Sequence, residues 1–120
     1  MRDALVSWVL GYVHAWNSND PVDIGRLFSE DARYFRRPLG EPWSGRQAIV
    51  DGWVAHRDKP GTWSFQFEIL GVDGDVGFIQ GRTEYRDESN YANLFVVRLN
   101  EAGECTEFTE WFMADPESVS

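Results

Sequence analysis

An α+β fold, with helices packed on one face of an antiparallel sheet, is what the order of patterns along the chain predicts. Apolar residues recur at helical spacing in the first half of the 120 residues and alternate with period two through the second half. Short turns rich in Gly, Asp and Asn separate the alternating runs. The length suits a single domain over residues 1–120 with one core.

The first helix is read over Arg2 to Asn19, where Leu5, Val6, Val9, Tyr12, Val13 and Trp16 form one stripe. Asp20 and Pro21 follow as an N-cap and a first-turn proline, starting a short second helix that runs to about Phe28. Around Ala32 the period becomes two. Tyr34 and Arg36 fall on one face of a strand and Arg33, Phe35 and Arg37 on the other, until Pro38 and Gly40 end it. Ser44 and Gly45 introduce a third helix, with Ala48, Ile49, Trp53 and Val54 as its apolar side and Lys59-Pro60-Gly61 as its stop. Four strands then span Thr62 to Val72, Val76 to Arg86, Tyr91 to Leu99, and Glu104 to Met113. Their connections, Asp73-Gly74-Asp75, Asp87-Glu88-Ser89-Asn90 and Asn100-Glu101-Ala102-Gly103, are short enough to make neighbours an antiparallel meander. A short acidic, serine-containing tail follows Pro116.

Six Trp and eight Phe give even this short chain enough bulk to bury, which excludes disorder. A formal charge of -9 and a pI near 4.5 repel phosphate backbones and anionic headgroups, so no nucleic acid and no membrane is expected as a partner. Cys105 is the single cysteine and forms no internal disulfide. No Asn-x-Ser/Thr site occurs, the first residues lack the pattern of a signal peptide, and no apolar run reaches membrane-spanning length. A soluble cytoplasmic protein is the expectation.

Several apparent signals are better read as structure. Gly71, Gly74 and Gly77 lie between two strands with no helix after them, so they mark a hairpin and not a phosphate loop. His14 and His56 have no Cys or His at ligand spacing, so no metal is expected. Cys105 has no cationic neighbour in sequence and reads as a buried strand thiol. Trp63 to Ile69 alternates with Ser64, Gln66 and Glu68, the mark of a core face.

The stretch AWNSNDPVDIGRLFSEDARYFRRPLGEPWSGRQAIVDGW and the closing ECTEFTEWFMAD resemble the nuclear transport factor 2-like (SnoaL-like) superfamily over nearly the whole chain. The marks are Ala15, Trp16, Asn17 and Asp20 in and after the first helix, Leu27-Phe28 to Asp31, Gly45-Arg46 before Ile49, and the aromatic last strand. The resemblance implies a cone-shaped curved sheet that, with the three helices, encloses a hydrophobic pocket, and a homodimer formed through the sheet. The scaffold serves many reactions, so it names none.

Two members of that superfamily can be matched residue by residue. The first helix is similar to that of ketosteroid isomerase, with Tyr12 on its oxyanion-binding tyrosine, but Arg37 stands where its catalytic aspartate would be and Phe95 where its second oxyanion donor would be. Limonene-epoxide hydrolase is the fuller match. Its carboxylate, arginine, carboxylate set resembles Arg82-Thr83-Glu84 together with Glu110, and its water-positioning pair resembles Tyr34 and Arg36.

Alternation along the strands puts Arg82 and Glu84 on one face and Phe108, Glu110 and Phe112 on one face, so the three polar groups are expected to converge in one apolar cavity. The catalytic set is therefore Arg82, Glu84, Glu110 and Tyr34, with Tyr12, Trp16, Arg36, Phe78 and Phe108 binding the ligand. The expected chemistry is cofactor-independent acid/base work on a small hydrophobic molecule, of the epoxide-hydrolase or isomerase/dehydratase kind. A non-catalytic binder, with Arg82, Glu84, Glu110 and Arg36 as a structural ion network, is the alternative reading.

Overall fold

The computed structural model describes residues 1–86 and 89–116. The expected turn at Asp87-Glu88 and the tail from residue 117 onward lie outside them. Helix α1 (Arg2–Ser18) ends where Asn19 turns left-handed, φ 53°, and donates its backbone N–H to the Ala15 carbonyl at 2.7 Å. Helix α2 (Pro21–Gly25) is capped by the Asp20 carboxylate, which accepts from the Val22 N–H at 2.8 Å. It stops sooner than expected: Phe28, read above as its end, is the first residue of strand β1 (Phe28–Phe35). The Leu27 carbonyl is drawn out of the helix by the Cys105 N–H at 2.7 Å, which pairs the chain onto the last strand.

A two-residue strand, β2 (Trp43–Ser44), precedes α3 (Arg46–Ala55). Strands β3 (Trp63–Asp73), β4 (Val76–Tyr85), β5 (Tyr91–Leu99) and β6 (Cys105–Ala114) follow the sequence reading to within a residue at each end. No helix among the described residues is long and apolar enough to cross a membrane.

The six strands form one curved, open sheet in the order β2-β1-β6-β5-β4-β3. The antiparallel meander of β3 to β6 is present as expected, but β1 lies parallel to β6, so the sheet is mixed. Turn lengths reveal only hairpin partners. The β1–β6 pairing joins strands far apart in sequence, with an irregular stretch between Phe28 and Arg33, and no local pattern announces its direction.

The helices cover the concave face. Leu5, Val9 and Tyr12 of α1, Ile24 of α2, and Ile49 and Trp53 of α3 pack over Ile79, Phe95, Val97 and Phe108 of the sheet. Phe28, Phe95 and Phe108 are fully enclosed, each worth about 1.5–3 kcal/mol relative to exposure. Along β4 the inward positions are Gly77, Ile79, Gly81, Thr83 and Tyr85, while Phe78, Arg82 and Glu84 point to the outer face. The two inward glycines are where neighbours come closest: a Cβ on Gly77 would collide with the Leu5 side chain, and one on Gly81 with the Phe65 ring.

Candidate functional site

At the open end of the concave face lies a pocket of about 650 Å³, within the range of small-molecule sites. Aromatic rings build its walls because α1, β1 and α3 each aim one apolar stripe inward. Tyr12 and Trp16 come from α1, Tyr34 from β1, Trp53 from α3, and Phe95 from β5. Beneath them is Phe108, stacked against Tyr34 with ring centroids 4.5 Å apart and against Tyr12 at 5.6 Å. Trp43 continues the stack on Tyr34 at 5.1 Å, and the Arg36 guanidinium lies 4.7 Å from the Trp43 ring centre.

Polar groups are few and placed in two sets. The Tyr12 and Tyr34 hydroxyls are 3.1 Å apart and buried. Burial, with the negative charge of Glu110 adding to it, holds both phenols well above their ordinary range, so they remain donors at any physiological pH. The second set is a relay across three strands: Thr83 Oγ1 donates to Asn93 Oδ1 at 2.8 Å, and Asn93 Nδ2 donates to Glu110 Oε2 at 2.8 Å. The amide is thus oriented by the threonine, and its N–H side is committed to the carboxyl. Burial raises the Glu110 carboxyl to about 7, with the Asn93 hydrogen bond pulling the other way. A group of that kind exchanges its proton near neutrality.

The rim is anchored by Asp58, whose Oδ2 accepts from Trp16 Nε1 at 3.0 Å and from the Tyr85 hydroxyl at 3.1 Å. Asn19 Nδ2 donates to the Asp58 carbonyl at 3.1 Å, and Trp16 stacks on Trp63 at 3.8 Å. Trp16 is thereby a fixed wall.

Of the residues singled out in the sequence, Tyr12, Trp16, Tyr34, Arg36 and Glu110 border the pocket. Phe108 lies one layer deeper, as the support of both tyrosines. The expected convergence of Arg82 and Glu84 with Glu110 does not occur. Arg82 pairs with Glu84 at 3.1 Å and with Asp115 at 3.3 Å on the outer face, with the Arg82 and Glu84 side chains 48% and 50% exposed. Phe78 shares that face. Burying both charges in an apolar hollow would cost several kcal/mol per ion, whereas the opposite parity presents glycines where α1 and Phe65 need room. His14 is exposed and faces Asp23 at 3.2 Å. Cys105 is buried in β6, its thiol pushed up to about 12 by desolvation. Sequence reasoning missed Thr83, Asn93, Tyr85 and Asp58. The signal for Asn93 was available: it shares strand parity with Phe95 and Val97.

Residues 9–112 match the SnoaL-like domain family, and the chain belongs to that family. Its fold is that of an NTF-2 like protein of unknown function from Burkholderia xenovorans LB400, with a TM-score of 0.75 at 16% identity over 95% of this chain and 86% of that one. A ketosteroid isomerase-like protein from Erwinia carotovora atroseptica SCRI1043 superposes with a TM-score of 0.67 at 13% identity, over 94% and 96% of the two chains. An LEH-like epoxide hydrolase from M. tuberculosis gives 0.65 at 13% identity, over 98% and 86%. No curated protein matches the sequence significantly.

Proposed function

We propose that the pocket binds a small, largely apolar molecule carrying a carbonyl or similar oxygen, and that Glu110 moves a proton on it without a cofactor. The observation that carries this reading is a part-buried carboxyl, raised to about 7 and held by a neutral amide, in a ring-lined pocket beside a buried pair of phenols. In this scheme one of the paired Tyr12 and Tyr34 hydroxyls donates to the ligand oxygen, supported by the hydrogen bond from the other, and stabilises charge developing there. Ionised Glu110 takes a proton from the carbon next to the carbonyl, leaving an enolate, and the protonated Glu110 returns that proton at another carbon of the conjugated system. The paired phenols supply the donor for the resulting enolate.

This one-base scheme is favoured over an epoxide-hydrolase arrangement for a geometric reason. That arrangement was expected to use two carboxylates and an arginine, and of Arg82, Glu84 and Glu110 only Glu110 is at the pocket. Proton exchange is the test: a β,γ-unsaturated cyclic ketone in deuterated water is followed by NMR with the protein and with Glu110→Gln. Exchange or isomerisation with the former and none with the latter supports the scheme; equal rates remove Glu110 from it.

The homodimer implied by the family resemblance is proposed on the outer sheet face, where Leu94 opposes Trp111 and Phe78 opposes Val96. Trp111 and Met113 are exposed there. Light scattering should find a dimer that Trp111→Glu dissociates; a monomeric native chain would end that assignment.

A further inference from the structure

Six of the ten arginines make no ion pair among the described residues: Arg2, Arg26 and Arg86 lie away from the pocket, and the other three gather at its mouth. On the outer face and edges, Arg33, Arg46, Arg82 and Arg98 each hold a carboxylate, respectively Glu107, Glu104, Glu84 with Asp115, and Asp75. At the mouth of the pocket Arg36, Arg37 and Arg57 are all exposed, and among the described residues none of them is ion-paired. Arg36 is set over the Trp43 ring, Arg37 packs beside Gly40, and Arg57 reaches only a backbone carbonyl, that of Val54, at 3.4 Å.

In a chain with 20 acidic and 11 basic residues, three unpaired guanidinium groups around one opening are contrary to the overall balance. Two carboxylates are nearby. Asp58 is occupied by Trp16 and Tyr85, and Glu41 is exposed on the rim without a bond to the arginines among the described residues. Guanidinium groups bind planar oxyanions through paired N–H donors, and do so best at the edge of an apolar surface where competing water is reduced.

We propose that the ligand of this pocket is an anionic amphiphile, whose apolar body lies among the rings and whose single anionic group is held at the mouth by Arg36, Arg37 and Arg57. This rests on the pocket reading given above and narrows its substrate class: a neutral ketone or epoxide would leave the three cations without a role, while an apolar oxo-acid would use both ends of the site. The acidic remainder of the surface disfavours anions elsewhere, so the opening is where such a molecule is captured.

The test uses two fluorescent probes with the same ring skeleton, anilinonaphthalene sulfonate and its uncharged counterpart phenylnaphthylamine. The sulfonate is expected to bind about tenfold more tightly, a difference of about 1.4 kcal/mol, and to lose that advantage in about 1 M salt. Triple substitution Arg36→Gln, Arg37→Gln, Arg57→Gln should bring the two affinities together, with circular dichroism unchanged. Position is read from the indole N–H resonances: Trp53, in the pocket wall, should shift with both probes, and Trp111, on the outer face, should not. Equal affinities with Trp53 shifting, or a triple variant that keeps the preference, would overturn the anionic inference and leave the pocket reading standing. Shifts at Trp111 alone, or no binding of either probe, would overturn both.

Discussion

Glu84 and Glu110 are the same side chain on two strands of one sheet, and the two faces of that sheet treat them oppositely. On the outer face Glu84 is half exposed and meets the charged Arg82, whose Nη2 also donates to Asp115. On the inner face Glu110 meets Asn93, a neutral donor itself oriented by Thr83, beneath aromatic walls. An ion pair in contact with water contributes little to stability; a neutral amide in a desolvated hollow leaves the Glu110 carboxyl raised toward neutrality. The two glutamates thus differ in the face they occupy and in the charge of their nearest donor.

Substitutions can break this contrast, in descending order of effect. Glu110→Gln should lower any turnover by about a hundredfold or more while the far-ultraviolet spectrum is retained; a variant of undiminished rate would make Glu110 as structural as Glu84. Tyr34→Phe should cost on the order of tenfold to a hundredfold in kcat, since Tyr12 stays as a second donor, and steady-state kinetics decide it.

The pH dependence sharpens the comparison further. With Glu110 raised to about 7 and active when ionised, kcat/KM should rise with pH to a plateau with a midpoint near 7. Asn93→Ala removes the bond that lowers that value, so the midpoint should move upward. A midpoint unmoved by the substitution would sever Asn93 from the carboxyl. Stability follows the same proton. A carboxyl at about 7 in the native state and about 4.3 in the unfolded chain binds its proton more tightly when folded. The associated stabilisation is complete below about pH 4 and lost as pH rises through 7, by at most about 4 kcal/mol and less where water reaches the group. Thermal unfolding of the native chain should therefore fall relative to Glu110→Gln between pH 5 and pH 8, as calorimetry would show; parallel curves would contradict the burial argument. The smallest effect is on the other face: Arg82→Ala should leave thermal unfolding, probe binding and turnover essentially unchanged.

The scaffold was legible in the chain because its signals are local. Leu5, Val9 and Tyr12 recur at helical spacing, Asp20-Pro21 caps, and the turns from β3 to β4 and from β5 to β6 sit where Gly, Asp and Asn cluster. Tyr12, Tyr34 and Glu110 were legible too, since each has a buried apolar residue at the correct period, Trp8 and Val9 before Tyr12, Ala32 before Tyr34 and Phe108 before Glu110. Arg82 and Glu84 were misplaced because β4 carries bulky apolar residues on both parities, Phe78 on one and Ile79 on the other, while the inward face is marked chiefly by glycines, which leave no hydrophobic pattern to read. The parallel β1–β6 contact was hidden for a different reason. It depends on two segments about seventy positions apart, Arg33 facing Glu107 and Tyr34 facing Phe108, and on no local preference of either.

That contact sets the order in which the molecule can mature. Tyr34 enters the ribosomal exit tunnel long before Glu110 is synthesised, and the strand bearing Tyr34 has only the two-residue β2 beside it until Cys105–Ala114 arrives. A nascent chain halted before this last strand would hold its helices and an unpaired β1 edge, open to association with other chains. Closure of so distant a pairing is entropically slow, so Glu110 and the two phenols come together only once β6 docks between β1 and β5.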